Sequence, residues 1–275
     1  MRLLQVVVSL LKVWQQAPAQ ILDLLIDEYR QRHLYSGGRY ADPLRLSRYE
    51  AQIYSQNGED GLIAECFRRL GAHSRRFVEI GVGDGLENNT ALLLTQGWSG
   101  VWLESSPRRV RLIHANAQMF VQQGQLSVRQ ALVTSENINP LLASSLVTGD
   151  IDLLSIDIDG NDYWIWQSIA VVEPRVVVIE YNARYPPGLL WIMPYNPRHQ
   201  FRDDGYFGAS LSALEELGRQ KGYVLVGCDF NGTNAFFVRQ ELAGGKFCAP
   251  FVAENHYEPP RHFLRRRPAR RNRLA

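Results

Sequence analysis

The sequence predicts one doubly wound α/β domain, a mostly parallel sheet with helices on both faces, with a helical extension before it. Three observations predict it. From Tyr54 onward, short apolar runs of strand length alternate with helix-length segments, most of them closed by a glycine. Val176-Val177-Val178-Ile179 is continuously apolar, as suits a strand buried on both faces. A strand at 77–80 runs directly into alternate glycines at Gly81, Gly83 and Gly85, and such a domain receives its ligand just beyond a strand's carboxyl end.

Composition supports this reading. A chain of 275 residues that is 45% hydrophobic can bury a substantial core, and with 11% aromatic residues it is not a disordered chain. The net charge of +2 conceals a division. Residues 261–275 hold seven arginines and no acid, leaving 23 bases against 28 acids, or −5, in the rest. An acidic body with no continuing basic stripe excludes a nucleic-acid-binding domain. Cys66, Cys228 and Cys248 are scattered with no CxxC pair, which predicts neither a disulfide framework nor a zinc site and suggests a reducing cytoplasm.

Residues 1–50 read as the helical extension. Leu3 to Trp14 form an apolar stretch interrupted by Lys12 and too short to span a bilayer. It is expected to pack on the domain or a partner, with a membrane-surface helix second and a cleaved signal third. Residues 20–33 place Ile21, Leu24 and Leu25 at helical spacing. The domain is expected over 51–240. Within it, helices are predicted at 61–70, 90–96, 106–124, 137–146, from about 163, and at 210–220. Strands are predicted at 77–80, 101–104, 126–131, 152–158 and 175–181. The runs 223–226 and 235–238, joined through Asn231-Gly232, read as a closing antiparallel pair. Ser106-Pro107 is an N-cap and first-turn proline pair. Residues 241–275 form a C-terminal extension whose basic tail is expected to be solvated, or to contact an anionic membrane.

The chemical signal centres on the segment Phe77 to Gly85. The glycines allow positive φ and a close backbone approach to a ligand. Glu104, nineteen residues after Gly85 and at the end of the second strand, can accept hydrogen bonds from ribose hydroxyls. A dinucleotide fingerprint has its third glycine where Leu86 stands. Glu79 and Asp84 flank the loop with negative charge, which repels a pyrophosphate and suits a cationic sulfonium. An NAD-dependent oxidoreductase is therefore disfavoured against an S-adenosylmethionine enzyme. A domain that kept the fold and lost the chemistry, acting as an interaction module, is the other alternative.

The segment resembles the class I S-adenosylmethionine-dependent methyltransferases, and a wider set of words is similar to the FkbM-like group. Those words are Tyr54 to Asp60, Phe77 to Gly85 with Glu87-Asn88-Asn89-Thr90, Asp157-Ile158-Asp159-Gly160-Asn161-Asp162, and Ile179 to Asn182. They span 54 to about 240. Asp159 and Asp162 stand where that group typically carries glutamates. The resemblance implies a Rossmann-like, seven-stranded sheet with an antiparallel last strand, and cofactor contacts at Glu79, Gly81, Gly83, Gly85 and Glu104. It also implies O-methylation of sugars or related small molecules.

Asp157, Asp159 and Glu180 close two apolar strands and are expected to converge beside the cofactor. One of them can act as general base toward an acceptor hydroxyl. Alternatively the three can hold Mg²⁺ or Mn²⁺, or cap the helix that follows. The absence of an Asp/Asn-Pro-Pro-aromatic word at this strand favours oxygen over base nitrogen as acceptor. Gln56 and Asn57 are expected to fold over the methionine end, or else to cap the helix at Gly61. The insertion at 183–208, with aromatics among prolines, suits a lid or a sugar-stacking wall, and His199 within it is a possible second base. Trp164 and Trp166 read as core. The acceptor is expected to be a small molecule or glycan, and the oligomeric state is left open.

Overall fold

The computed structural model of the protein describes residues 18, 21–145, 147–202, 204–264 and 274. The apolar stretch 3–14 and most of the basic tail lie outside these. Seven strands form one sheet: β1 Arg76–Ile80, β2 Ser99–Glu104, β3 Leu126–Gln130, β4 Gly149–Ile156, β5 Val172–Glu180, β6 Tyr223–Cys228 and β7 Asn234–Arg239. Their order is β3-β2-β1-β4-β5-β7-β6, with β7 antiparallel to both of its neighbours and the remaining pairs parallel. This is the Rossmann-like, doubly wound class I methyltransferase fold.

The apolar run of β5 explains the layering. Val176 and Val178 face one core cluster, and Val177 and Ile179 face the other. The first cluster is covered by α2 (Glu59–Leu70), α3 (Ala91–Thr95), α4 (Pro107–Asn116) and α5 (Gln118–Gln122), through side chains such as Phe67, Leu93, Ile113 and Phe120. The second is covered by α6 (Ile138–Ser144), α7 (Asp162–Ser168) and α8 (Leu211–Gln220), through Leu142, Trp166 and Leu214. Both faces of β5 are thus dry, which is why its sequence shows no alternation.

Local chemistry sets the helix ends. The Ser106 hydroxyl accepts from the Arg109 amide at 3.4 Å, with Pro107 in the first turn, and Ser210 caps α8 in the same way. The single helix expected over 106–124 is instead two. The break falls at Ala117 (φ −114°, ψ 25°), which is fully buried, and Ile113 and Phe120 on either side enter the same cluster. The first closing strand runs on to Cys228, two residues beyond expectation.

Residues 21–30 are helical (α1) and continue into a π turn, Gln31–Tyr35. This extension packs through Ile26, Leu34 and Tyr40 against Phe230 and Leu264. It is also held by a buried ion pair, Arg30 to Glu50, at 2.7 Å. Glu50 in turn accepts from the Phe230 amide. Burial pushes the Glu50 carboxyl up to about 7, against the opposing pull of Arg30. Removing one partner of such a pair strands the other charge. The Arg30→Ala variant is therefore expected to lose about 3 kcal/mol of unfolding free energy in urea denaturation; a loss too small to measure would show that the pair contributes nothing.

Candidate active site

The carboxyl ends of β1, β2, β4 and β5 open into one cavity of about 1190 Å³. Gly81 and Gly83 line it, whereas Gly85, expected to contact the cofactor, is not on its wall and faces the core, where a Cβ would come within 3.0 Å of the Trp102 ring. Gly81, Gly83 and Gly85 all take positive φ (86°, 69° and 82°). Gly81 leaves no alternative: a Cβ there would lie 1.6 Å from the Asp157 carbonyl oxygen. At Gly83 a Cβ would meet nothing within 4 Å, so its absence leaves open room on the cavity side.

Glu104 ties this loop to the next turn. It accepts from the Gly83 amide at 2.9 Å and the Ser106 amide at 2.8 Å, and Arg109 stands 4.0 Å away. Glu79 is turned to local work. It accepts from the Asn88 side chain, the Asn89 amide and both the amide and the hydroxyl of Thr90. Thr90 also receives the Trp102 indole N–H at 2.7 Å. Glu79 therefore fixes the turn after the glycines while bordering the cavity. Asp84 accepts from the Leu86 amide at 3.1 Å, closing a short turn at the rim.

Gln56 and Asn57 also reach the cavity wall. Their loop is organised by Asp60, one oxygen of which accepts from the amides of Ile53, Tyr54 and Ser55 and from the Ser55 hydroxyl. The Asn57 side chain donates to Glu59 at 3.0 Å and accepts from Asn231 at 3.1 Å. Asn234 donates to the same Glu59 at 2.8 Å, joining this loop to the β6–β7 turn.

Asp157, Asp159 and Glu180 come together, with one oxygen of each lying within 4.8 Å of the others. Strand alternation is not what places the two aspartates, because β4 ends at Ile156 rather than at 158. Asp162 replaces the ladder, accepting from the Ile158 amide at 2.8 Å and the Gly160 amide at 2.9 Å. This loop holds Asp159 at φ 57°, a left-handed conformation that Asp tolerates better than most residues. Asp162 thus positions the loop, with burial pushing its carboxyl up to about 6.

Burial, and then the neighbouring Asp159 and Asp162, hold Asp157 well above the usual carboxylate range. Glu180 is raised by burial and then by Asp157, and its Oε2 is buried without a hydrogen-bond partner. Asp159 is raised by burial, with Arg109 and His199 opposing the shift.

The insertion is pinned rather than loose. Asn182 donates to the carbonyls of Gly205 and Phe207, Trp164 donates to the Met193 carbonyl, and Asn161 and Asn196 bond reciprocally. His199 lies against Gly160, where a Cβ would come within 2.3 Å of its ring, and its Nε2 is enclosed without a partner. The aromatic wall is Phe201 and Phe207; Trp191 instead stacks on Tyr185 at 4.3 Å.

Sequence reasoning missed Arg108, Arg109, Leu112, Ala131–Val133 and Thr233-Asn234 on the wall. The rule that ligands gather at strand ends would have flagged the last two groups. Pro260 and His262 carried no signal. They reach the cavity because the Arg261 amide donates to the Asn231 carbonyl and its guanidinium pairs with Glu258.

No protein-family model matches the chain, and no curated protein matches its sequence. Solved structures do overlap with it. A Bacillus cereus O-methyltransferase in complex with S-adenosylhomocysteine aligns at 17% identity and TM-score 0.37, covering 58% of this chain and 74% of that one. A Klebsiella pneumoniae protein provisionally assigned as an O-methyltransferase gives 18% and 0.44, over 78% and 94%. A Clostridium acetobutylicum S-adenosylmethionine-dependent methyltransferase gives 12% and 0.39, over 64% and 88%. These are similarities only; the fold assignment rests on the strand order.

The raised carboxyl of Glu180 predicts a pH signature. The folded chain keeps this proton to higher pH than the unfolded chain, so ionisation costs stability as pH rises above the ordinary value of 4.5. Glu180→Gln is therefore expected to melt a few degrees above the native protein at pH 8, with the difference vanishing near pH 4. A pH-independent difference would refute the shift.

Proposed function

We propose that the protein is an S-adenosylmethionine-dependent O-methyltransferase of the FkbM-like kind, acting in the cytoplasm on a hydroxyl of a sugar, glycolipid precursor or related small molecule. The observation that carries this reading is the Asp157–Asp159–Glu180 cluster set directly beyond the glycine loop, with one oxygen of Glu180 lacking a partner.

The residues present fit the cofactor. Room beside Gly83 admits a ligand against the loop backbone, Glu104 stands where ribose hydroxyls would be received, and Leu112 with Leu132 offers apolar wall for a base. Glu79 and Asp84 make the surroundings negative, and Gln56 and Asn57 also line the cavity. S-adenosylmethionine, when bound, supplies an electrophilic methyl group on a sulfonium. The chain's own part is to orient the acceptor hydroxyl, exclude water and remove the proton. A carboxylate held above its usual range is closer in basicity to the working pH, which favours it as general base. Phe201 and Phe207 give a sugar an apolar face to pack on.

A second reading is favoured by the same geometry. Three carboxylate oxygens within 4.8 Å suit a hard divalent cation such as Mg²⁺ or Mn²⁺, which would lower the pKa of the acceptor hydroxyl. In that case Asp157, Asp159 and Glu180 are ligands, and their mutual repulsion is relieved by the ion.

Calorimetry tests the reading. The native protein is expected to bind S-adenosylmethionine, and Gly83→Arg, which fills the open side of the loop, to lose at least about a hundredfold in affinity. Labelled methyl transfer to a sugar panel is expected to fall by about 10²–10⁴ in Asp159→Asn. Loss of activity on chelation, restored by Mg²⁺, would select the metal reading. Unaltered binding by Gly83→Arg would sink the assignment.

A further inference from the structure

The wall that the insertion contributes to the cavity carries a cation with no acid to neutralise it. β5 ends at Glu180, and alternate positions beyond it are Asn182 and Arg184. Asn182 is fully buried and fixes this stretch. Its side-chain oxygen accepts from the Arg184 amide at 3.2 Å, and its side-chain nitrogen donates to the carbonyls of Gly205 and Phe207 at 2.9 and 3.0 Å. Gly205 lies against the Arg184 guanidinium, where a Cβ would come within 2.0 Å of Nη1. Arg184, Gly205 and Phe207 thereby share one wall of the cavity. The guanidinium makes one long bond, at 3.3 Å, to the Asp204 carbonyl, whereas the Asp204 carboxylate accepts from the Tyr206 amide. Among the described residues Arg184 enters no ion pair. The other arginines of the wall are placed differently. Arg109 stands 4.0 Å from Glu104 and also opposes the rise of Asp159, so acids share its charge. Arg108, one helical turn before Leu112 on α4, belongs to the cofactor side.

We propose that Arg184 receives a carboxylate or phosphate substituent of the acceptor, so that the substrate class is acidic sugars, uronic acids or sugar phosphates, rather than neutral ones. The sugar is the acceptor of the methyl-transfer reading, on which this assignment rests. A guanidinium presents paired N–H groups that match two oxygens of one carboxylate or phosphate, and such charge-assisted bonds are about twice as strong as neutral ones. The rest of the cavity sets the direction of binding. Asp157, Asp159 and Glu180 repel an anion placed among them, so the anionic group lies at Arg184 and a hydroxyl of the same sugar faces the carboxylates. Phe201 and Phe207 offer the ring an apolar face. A neutral sugar would meet the same aromatic wall with no charge to choose between its hydroxyls; an acidic one is held in a single orientation.

The test is calorimetry of the full chain, with and without S-adenosylhomocysteine, against glucose and galactose, their uronates and their 6-phosphates. The acidic members are expected to bind at least about tenfold tighter than the parent sugars, with the advantage shrinking as salt is raised. Uronates ahead of phosphates would identify a carboxylate as the group received, and the reverse order a phosphate. Arg184→Gln is expected to bring the acidic members down to the affinity of the parents, and Arg184→Lys to keep part of the advantage. In labelled methyl transfer the loss is expected in KM rather than kcat. Should Arg184→Gln loosen the insertion, the salt dependence of the native chain decides the matter. Equal affinity for acidic and parent sugars, or binding of neither, would overturn the proposal. So would an equal loss for both kinds of sugar in Arg184→Gln together with a lowered melting temperature, since Arg184 would then only brace the insertion through Asp204. A preference for acidic sugars in a chain that does not bind S-adenosylmethionine would leave the subsite standing and remove the methyl-transfer reading. Methyl transfer to neutral sugars alone would do the reverse.

Discussion

The contact on which the site depends is between two pieces of backbone. Gly81 passes so close to the Asp157 carbonyl that no side chain can stand between them. Ladder bonds hold the approach from both sides: the Gly81 amide donates to Leu103 and the Asp157 amide to Ile80. The ends of β1, β2 and β4 are thereby locked in one plane at the point where the chain leaves the sheet. The glycine loop and the carboxylate cluster are consequently neighbours by construction, and a ligand on one is in reach of the other. Any side chain at position 81 would separate them.

The electrostatics of the site run against stability. Asp157 is raised by burial and then by Asp159 and Asp162, Glu180 is raised by burial and then by Asp157, and the Oε2 of Glu180 has no hydrogen-bond partner. Two buried acids away from the cluster are satisfied through both oxygens. Asp152 accepts from the amides of His73 and Arg75 and pairs with Arg175, and both oxygens of Glu79 accept from donors of a single turn. The contrast between those saturated carboxylates and the open ones beyond β4 and β5 separates acids that shape the chain from acids available to a ligand.

The elements were legible where local chemistry decides them. Ser106-Pro107 marked a helix start that the capping bond realises, and the unbroken apolar run of β5 marked a strand covered on both faces. The break at Ala117 was not legible, because no glycine or proline announces it and the burial of Ala117 causes no local signature. Within the site, the glycine loop and the three carboxylates could be read from their words. What those words could not show is competition for the same side chain. Glu79, Asn57 and Asp162 are engaged by backbone and side-chain groups several residues away or across the sheet. Pro260 and His262 are brought in by bonds to Asn231 and Glu258 that only the folded chain reveals.

The position of β7 between β5 and β6 has a bearing on synthesis. Six strands, together with the glycine loop and the carboxylate cluster, are translated before residue 234, yet β5 lacks its second neighbour until β7 arrives. During that interval the nascent chain carries a long apolar strand with one open edge, the kind of surface that pairs with other chains. β6 emerges earlier but cannot cover β5 directly, because its place is on the far side of β7. Ribosome-bound intermediates of this protein are thus committed to an unsealed sheet until the final hairpin is released, and chaperone demand should concentrate in that window.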